Sequence, residues 1–115
     1  WGVLNTTEKF LKAKPELVEL VLLQYERARA WILANPEAAV DILARDAGLN
    51  LEDATRVLNE RTNIAVSLIP GETQLAVFRT ILPVLVAEDK VKSQEAAELA
   101  LLELIEDSIA RKVAG

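Results

Sequence analysis

Residues 15–36 read PELVELVLLQYERARAWILANP, and this segment predicts the helix around which the fold is organised. Proline suits the first position of a helix, where a backbone N–H has no partner, and Pro36 disfavours helical geometry at Asn35. Apolar side chains recur here at helical spacing: Leu17, Val18, Val21, Leu22, Tyr25, Ala28, Trp31 and Ile32. Leu23 and Leu33 widen the stripe, whereas Glu16, Glu19, Glu26 and Arg27 are expected on the opposite side. Because the apolar arc is too wide for a lone surface helix, we expect neighbours on more than one side of it.

The rest of the chain predicts five further helical segments, at about residues 6–14, 36–48, 50–61, 72–89 and 93–114. Pro83 should bend or interrupt the fourth of these near Leu82. Residues 62–71 break the periodicity and predict an extended loop laid across the helices. The run WGVLN at residues 1–5 could be a strand, although no second convincing strand pattern follows it. The sequence therefore predicts an all-α fold of about five or six helices, with one possible short N-terminal strand, in a single helical segment spanning residues 1–115.

Composition excludes several classes of function. The 13 basic residues are scattered among 18 acidic ones, giving a net charge of −5, which argues against a nucleic-acid-binding surface. The absence of cysteine and histidine removes disulfides, the usual zinc sites and histidine catalysis. No apolar run approaches the roughly 20 residues of a membrane span. The chain starts with Trp1 and contains no methionine, so we expect it to be a processed or excised piece of a longer protein.

Carboxylates cluster at two places, Glu103/Glu106/Asp107 and Asp41/Asp46, and such a pair could act as acid and base. The favoured interpretation is a solvated helix face, because charged residues are almost never buried without a partner. No glycine-rich phosphate loop, nucleophile elbow or metal-ligand motif is present. We therefore predict no catalytic residues, no metal site and no cofactor.

Two further groups of residues admit two interpretations each. Tyr25 and Trp31 lie six positions apart, which favours core packing over an aromatic ligand platform. Arg61 and Thr62, at a predicted helix end, could bind an anion. The favoured alternative is that Arg61 caps the last carbonyl groups of the helix.

Several weak signatures follow one another along almost the whole chain: residues 1–50, ERT at 60–62, IPGE at 69–72, KSQ at 92–94 and LIEDSIA at 104–110. In this order and spacing they resemble the C-terminal third of the solute-binding proteins that feed ABC importers for taurine, aliphatic sulfonates and nitrate. That superfamily also holds thiamine-pyrimidine-synthase-like proteins. No one signature is catalytic or diagnostic alone.

The resemblance implies a two-lobed α/β fold of the type II periplasmic-binding-protein class, in which this segment supplies a strand and the outer helices of the first lobe. It implies a periplasmic or extracytoplasmic membrane-anchored location, a small anion as ligand and an ABC-transporter permease as partner. The ligand-binding residues are expected upstream of residue 1, so the isolated segment should bind no ligand.

Two other functions stay open. One is a stand-alone helical interaction or oligomerisation module, which the broad apolar stripes favour. The other is an enzyme of the pyrimidine-synthase branch, which the lack of histidine, cysteine and a cofactor loop disfavours. Because surface meant for a missing sheet would be left in water, we also expect the isolated chain to form a homo-oligomer through Trp1, Val3 and Leu4 or the stripe around Leu23.

Overall fold

A computed structural model describes residues 3–115, and within that range the regular secondary structure is entirely helical. The helices are α1 (Glu8–Ala13), α2 (Pro15–Ala34), α3 (Pro36–Ala47), α4 (Leu51–Glu60), α5 (Glu72–Arg79), α6 (Leu82–Ala87), α7 (Gln94–Leu104) and α8 (Ser108–Ala114). All six predicted helical segments are present, two of them each divided in two. The all-α prediction is confirmed.

The chain divides into two compact units, the first reaching to Ser67 and the second beginning at Leu68. Helices α1 to α4 belong to the first unit and α5 to α8 to the second. The organisation of residues 1–115 as a single segment stays a prediction.

Local side-chain chemistry sets most helix ends. Thr7 accepts a hydrogen bond from the Phe10 amide at 3.1 Å and so caps α1, while Asn50 accepts from the Asp53 amide at 2.8 Å and caps α4. Ser93 caps α7 in the same way, through Ala96. These caps satisfy amide groups that a helix leaves without partners, which explains why the predicted starts are found within a residue or two.

The first unit is held together chiefly by a helical hairpin of α3 and α4, the most closely packed pair of helices in it. Its buried residues are all alanines: Ala39 and Ala44 on α3 and Ala54 on α4. Small side chains allow two helix backbones to approach closely. Gly48 lies in the left-handed region, with φ of 65°, and lets the chain turn from α3 towards α4.

Gly48 is therefore a position where alanine should be strained. No atom lies within 4 Å of an added Cβ, so the cost comes from the backbone conformation and not from a clash. We expect Gly48→Ala to lower the free energy of unfolding by about 1 kcal/mol in urea denaturation. Gly71→Ala is the matched control, because Gly71 has a negative φ and its nearest neighbour would be 3.8 Å away. An equal loss in both variants would contradict the argument.

The second unit has a small apolar core formed by Leu82 of α6 with Ala97 and Leu101 of α7. Partly buried side chains surround it: Leu75, Phe78, Leu85, Val86 and Val91. Pro83 lies in the first turn of α6, and the helix predicted over residues 72–89 is interrupted just before it, as expected. Arg79 of α5 donates to Glu98 of α7 at 2.7 Å and ties the two helices together.

A break at residues 105–107 separates α7 from α8 and was not predicted. Ile105 adopts an extended conformation, and the Glu106 carboxylate accepts a hydrogen bond from the Ser108 amide at 2.8 Å. This side-chain bond replaces a helical one at the start of α8, which explains why a strongly periodic pattern does not give one continuous helix.

The possible strand at residues 1–5 is not found in the part of it that the structure describes. Residues 3–5 have no regular structure, and Trp1 and Gly2 lie outside the described residues. A strand needs a neighbouring strand for its backbone groups, and residues 3–115 contain none.

Candidate functional site

The longest helix, α2, carries an exposed and largely apolar face. It is formed by Leu17, Leu20, Val21, Gln24, Ala28 and Trp31, all of them exposed, and we call it the Gln24 face. Leu20 keeps 50% of its accessible surface and Trp31 keeps 43%. At 100° per residue these side chains fall within about 60° of Gln24 around the helix axis, so they form one continuous surface.

The Gln24 face borders an open groove of about 590 Å³ between α2, α3 and α4. Its lining consists of Ala28, Trp31, Ile32, Ala39, Ile42, Leu43, Asp46 and Leu58. Asp46 is the one ionisable group in that lining. An apolar wall suits aliphatic or aromatic side chains, so the groove is a candidate docking surface.

The side of α2 that packs against the rest of the first unit is not the side that the sequence predicts. Its less exposed residues include Val18 and Leu22, but also Glu26 and Arg29. Glu26 was expected on the solvated side and instead lies half-buried. Tyr25 and Trp31, expected in the core, are exposed, although Trp31 does line the groove.

Arg29 and Glu26 form an ion pair that explains this placement. Two guanidinium nitrogens of Arg29 donate to the Glu26 carboxylate, at 2.6 and 2.8 Å, and a third donates to the Ile64 carbonyl at 3.2 Å. The hydrogen bond from Arg29 lowers the pKa of Glu26. Because the side chains are only 26% and 28% exposed, the pair is largely shielded from water, and Arg29 ties the backbone at Ile64 to α2.

Removing Arg29 should therefore loosen the segment after α4. We expect Arg29→Ala to lower the urea midpoint of the first unit and to speed amide exchange at residues 63–66 several-fold. Arg45→Ala is the control, since the pair of Arg45 with Asp46 is well exposed and worth little. If the two variants exchange alike at residues 63–66, Arg29 does not anchor the segment.

The residues of the two carboxylate clusters lie at exposed or hydrogen-bonded positions. Asp41 and Asp46 are both exposed on α3, and Asp46 pairs with Arg45 at 3.0 Å. Asp107 accepts from Arg111 at 2.8 Å, and Glu106 accepts from Ser108. Glu103, near the end of α7, is exposed. The solvated-face interpretation fits these positions.

Glu106 gives a pH dependence to the start of α8. Hydrogen bonds from Ser108 lower the pKa of Glu106 below its usual 4.5, outweighing the opposing effects of burial and of Asp107. A carboxyl group whose folded-state pKa is depressed stabilises the fold above its unfolded-state pKa, and that contribution is lost as the pH falls through the folded value. We expect the carbon chemical shifts of α8 to lose helical character below about pH 4.5, and Glu106→Gln to weaken that pH dependence. An unchanged profile in the variant would contradict this assignment.

The end of α4 is capped differently from the prediction. The hydroxyl of Thr62 donates to the Val57 carbonyl at 2.9 Å, and the backbone N–H of Arg61 donates to the same oxygen at 3.2 Å. The side chain of Thr62, and not the guanidinium of Arg61, thus supplies the cap. Arg61 itself is exposed to solvent.

Neither a metal site nor a membrane-spanning helix is found within residues 3–115. No three acidic side chains there come close enough together to hold a metal ion. None of α1 to α8 combines the length and the hydropathy that crossing a bilayer requires.

Two features that the sequence reasoning passed over define the site. Gln24 is the polar centre of the exposed face, and Arg29 of α2 donates a hydrogen bond to Ile64 in the loop that follows α4. A signal for the first was present, because Gln24 is the one polar residue in the run from Leu20 to Tyr25.

No protein-family model, no curated protein and no solved structure matches this chain.

Proposed function

We propose that this chain is the C-terminal helical portion of a solute-binding protein that captures a small anion such as taurine, an alkanesulfonate or nitrate for import by an ABC transporter. The observation that carries the proposal is the amount of apolar surface that each unit leaves exposed. In the first unit this surface includes Leu17, Leu20, Val21 and Trp31, and in the second Val84, Leu99, Leu102 and Leu104.

Leaving such surface in water is unfavourable by about 25 cal/mol per Å² of apolar area. A patch of several hundred Å² therefore amounts to several kcal/mol, comparable with the whole stability of a small domain. Only small side chains and two leucines are buried among the described residues. These helices are thus suited to pack on something larger than each other.

The resemblance of residues 1–115 to the taurine, sulfonate and nitrate binders suggests what that larger structure is. In the family, the corresponding segment adds a strand to the first lobe and packs helices against the outside of it. On this proposal the missing sheet covers the apolar helix faces, the ligand lies between two lobes built mainly upstream, and the complete protein meets its permease in the periplasm or on the outer side of the membrane. The helices then act as scaffold, without catalytic residues.

The groove between α2, α3 and α4 supports a scaffold role for these helices, separate from binding of the anion. Its apolar lining and its carboxylate, Asp46, are unsuited to an oxyanion. On this proposal the anion site is formed by other residues of the complete protein.

Titration calorimetry tests the proposal. The protein expressed from the complete open reading frame should bind taurine, nitrate or a short alkanesulfonate with saturable heat, whereas the 115-residue chain should give none. Chloride and glycine serve as ligand controls. Saturable binding of a sulfonate or nitrate by the 115-residue chain alone would contradict the assignment of the cleft to other residues, and no binding by the complete protein would contradict the transport function.

The second candidate is a stand-alone helical interaction or oligomerisation module. The observation that favours it is the Gln24 face, whose residues lie on one side of a single long helix. A native gene that encodes only these residues would favour it over the first candidate.

A further inference from the structure

We infer that the Gln24 face is a self-docking surface, on which α2 of one copy packs antiparallel against α2 of a second copy, with the two-fold axis passing beside Gln24. The inference rests on the exposed residues of α2 and on the groove beside them. It concerns the 115-residue chain by itself, in which nothing else covers this face, and it does not depend on the proposed transport function.

The residues of the face are arranged symmetrically about Gln24. Leu17 and Trp31 lie seven positions before and after it, and Leu20 and Ala28 lie four positions before and after it. With a rise of 1.5 Å per residue, a two-fold axis at Gln24 sets Leu17 level with the partner copy's Trp31, about 10 Å from the axis. The same axis sets Leu20 level with Ala28 of the partner copy, and the small side chain leaves room for the large one.

A glutamine at the centre of an apolar surface is well suited to lie on such an axis. The side-chain amide has both donors and an acceptor, so two copies of Gln24 can satisfy each other. A two-fold interface brings a residue on the axis against its own copy. One polar residue in an apolar helix seam is also a known means of fixing register, because any shift leaves it without a partner.

The groove has room for the N-terminal half of the partner copy's α2. It lies beside the C-terminal half of α2, where Ala28, Trp31 and Ile32 form one wall and Ala39, Ile42 and Leu43 form another. The antiparallel arrangement brings the N-terminal half of the partner's α2, with Leu17, Leu20 and Val21, to this end of the helix. By symmetry, α2 of each copy fills the groove of the other, and apart from Asp46 the residues brought together are apolar.

Charge at the edge of the face favours the same arrangement. Arg27 and Glu16 lie on the same flank of α2, on the side of Leu20. A two-fold axis perpendicular to the helices brings equal flanks together, which sets Arg27 of one copy within about 8 Å of Glu16 of the other, measured along the helix. This is within reach of two long side chains and places opposite charges at the rim of the antiparallel pair.

Disulfide crosslinking tests the geometry, because the chain has no cysteine of its own. Oxidation of Gln24→Cys should give a covalent dimer at least tenfold faster than oxidation of Leu33→Cys, an exposed position on the opposite side of α2. Leu17→Cys should also crosslink slowly with itself, because its two copies would be about 21 Å apart, beyond the reach of a disulfide. Circular dichroism checks that each variant retains its helices.

A mixing experiment guards against an effect of the glutamine substitution itself. Leu17→Cys mixed with Trp31→Cys should give the mixed covalent dimer at least tenfold faster than either variant gives its own dimer. Equal rates for the axial, off-axis and opposite-side positions would show random collision and overturn the inference. Slow crosslinking in every variant and in the mixture would also overturn it and would leave the face to another partner.

Discussion

Replacing Leu101 with alanine is expected to lower the free energy of unfolding of the second unit by about 2–5 kcal/mol. Leu101 of α7 is 3% exposed and packs with Leu82 and Ala97 in the small core of that unit. Truncation removes its buried methyl groups and leaves a cavity that the short helices around it can close only in part. Because the whole stability of a small domain is about 5–15 kcal/mol, such a loss should make α5 to α7 partly unfolded under native conditions.

Leu102→Ala is a matched control for this prediction, since it makes the same chemical change one position along the same helix. Leu102 is 53% exposed and should lose less than about 0.5 kcal/mol. Urea unfolding followed by amide signals from α6 and α7 measures both variants. Similar losses at the two positions would mean that the core of the second unit is not where the structure places it.

Enlarging Ala54 should have the next largest effect, a loss of about 1–3 kcal/mol in the first unit for Ala54→Leu. The side chain of Ala54 is fully buried between α4 and α3, opposite a helix whose own buried residues are Ala39 and Ala44. Three added carbon atoms have no space there, so the two helices must move apart.

Ala30→Leu on α2 is the control for Ala54, because Ala30 is exposed and leucine is nearly as good a helix former as alanine. Hydrogen exchange of the α3 and α4 amides and urea denaturation measure the effect. Separation of the two helices should speed exchange along both of them, whereas a local change of side-chain rotamer should not. Unaltered exchange and stability in Ala54→Leu would contradict close packing at this position.

The fold class and most helix ends could be predicted from the sequence because they depend on local chemistry. Pro15 and Pro36 define the starts of α2 and α3, Gly48 supplies a left-handed turn, and Asn50 and Ser93 accept hydrogen bonds at helix starts. Each of these effects acts within about four residues, which is the range that inspection of a sequence can follow.

The break between α7 and α8 was also local but was missed. Periodicity favoured one helix, whereas the hydrogen bond from Ser108 to Glu106 and the pairing of Asp107 with Arg111 start a new one. The signal was present in the order Glu-Asp-Ser, which is typical of a helix start, and strong apolar periodicity on both sides obscured it.

The orientation of α2 could not be read from its pattern. Hydrophobicity alone placed Glu26 in solvent and Trp31 in the core, but the Arg29 pair allows Glu26 to face the packed side, and its anchor is the carbonyl of Ile64, 35 residues away. Contacts at that separation depend on the tertiary fold. The candidate site, a groove assembled from three helices, depends on the same kind of contact and was not predicted.

Sedimentation equilibrium of the 115-residue chain tests most directly the central claim, that its helices leave apolar faces in need of a partner. From low to high micromolar concentration the account predicts a mass that rises from 12.6 kDa towards twice that value. Leu20→Glu, which sets a charge in the Gln24 face, should shift the rise to at least tenfold higher concentration. A mass of 12.6 kDa for the unmodified chain at every concentration would contradict the account, because it would show that the helices satisfy their own apolar surface.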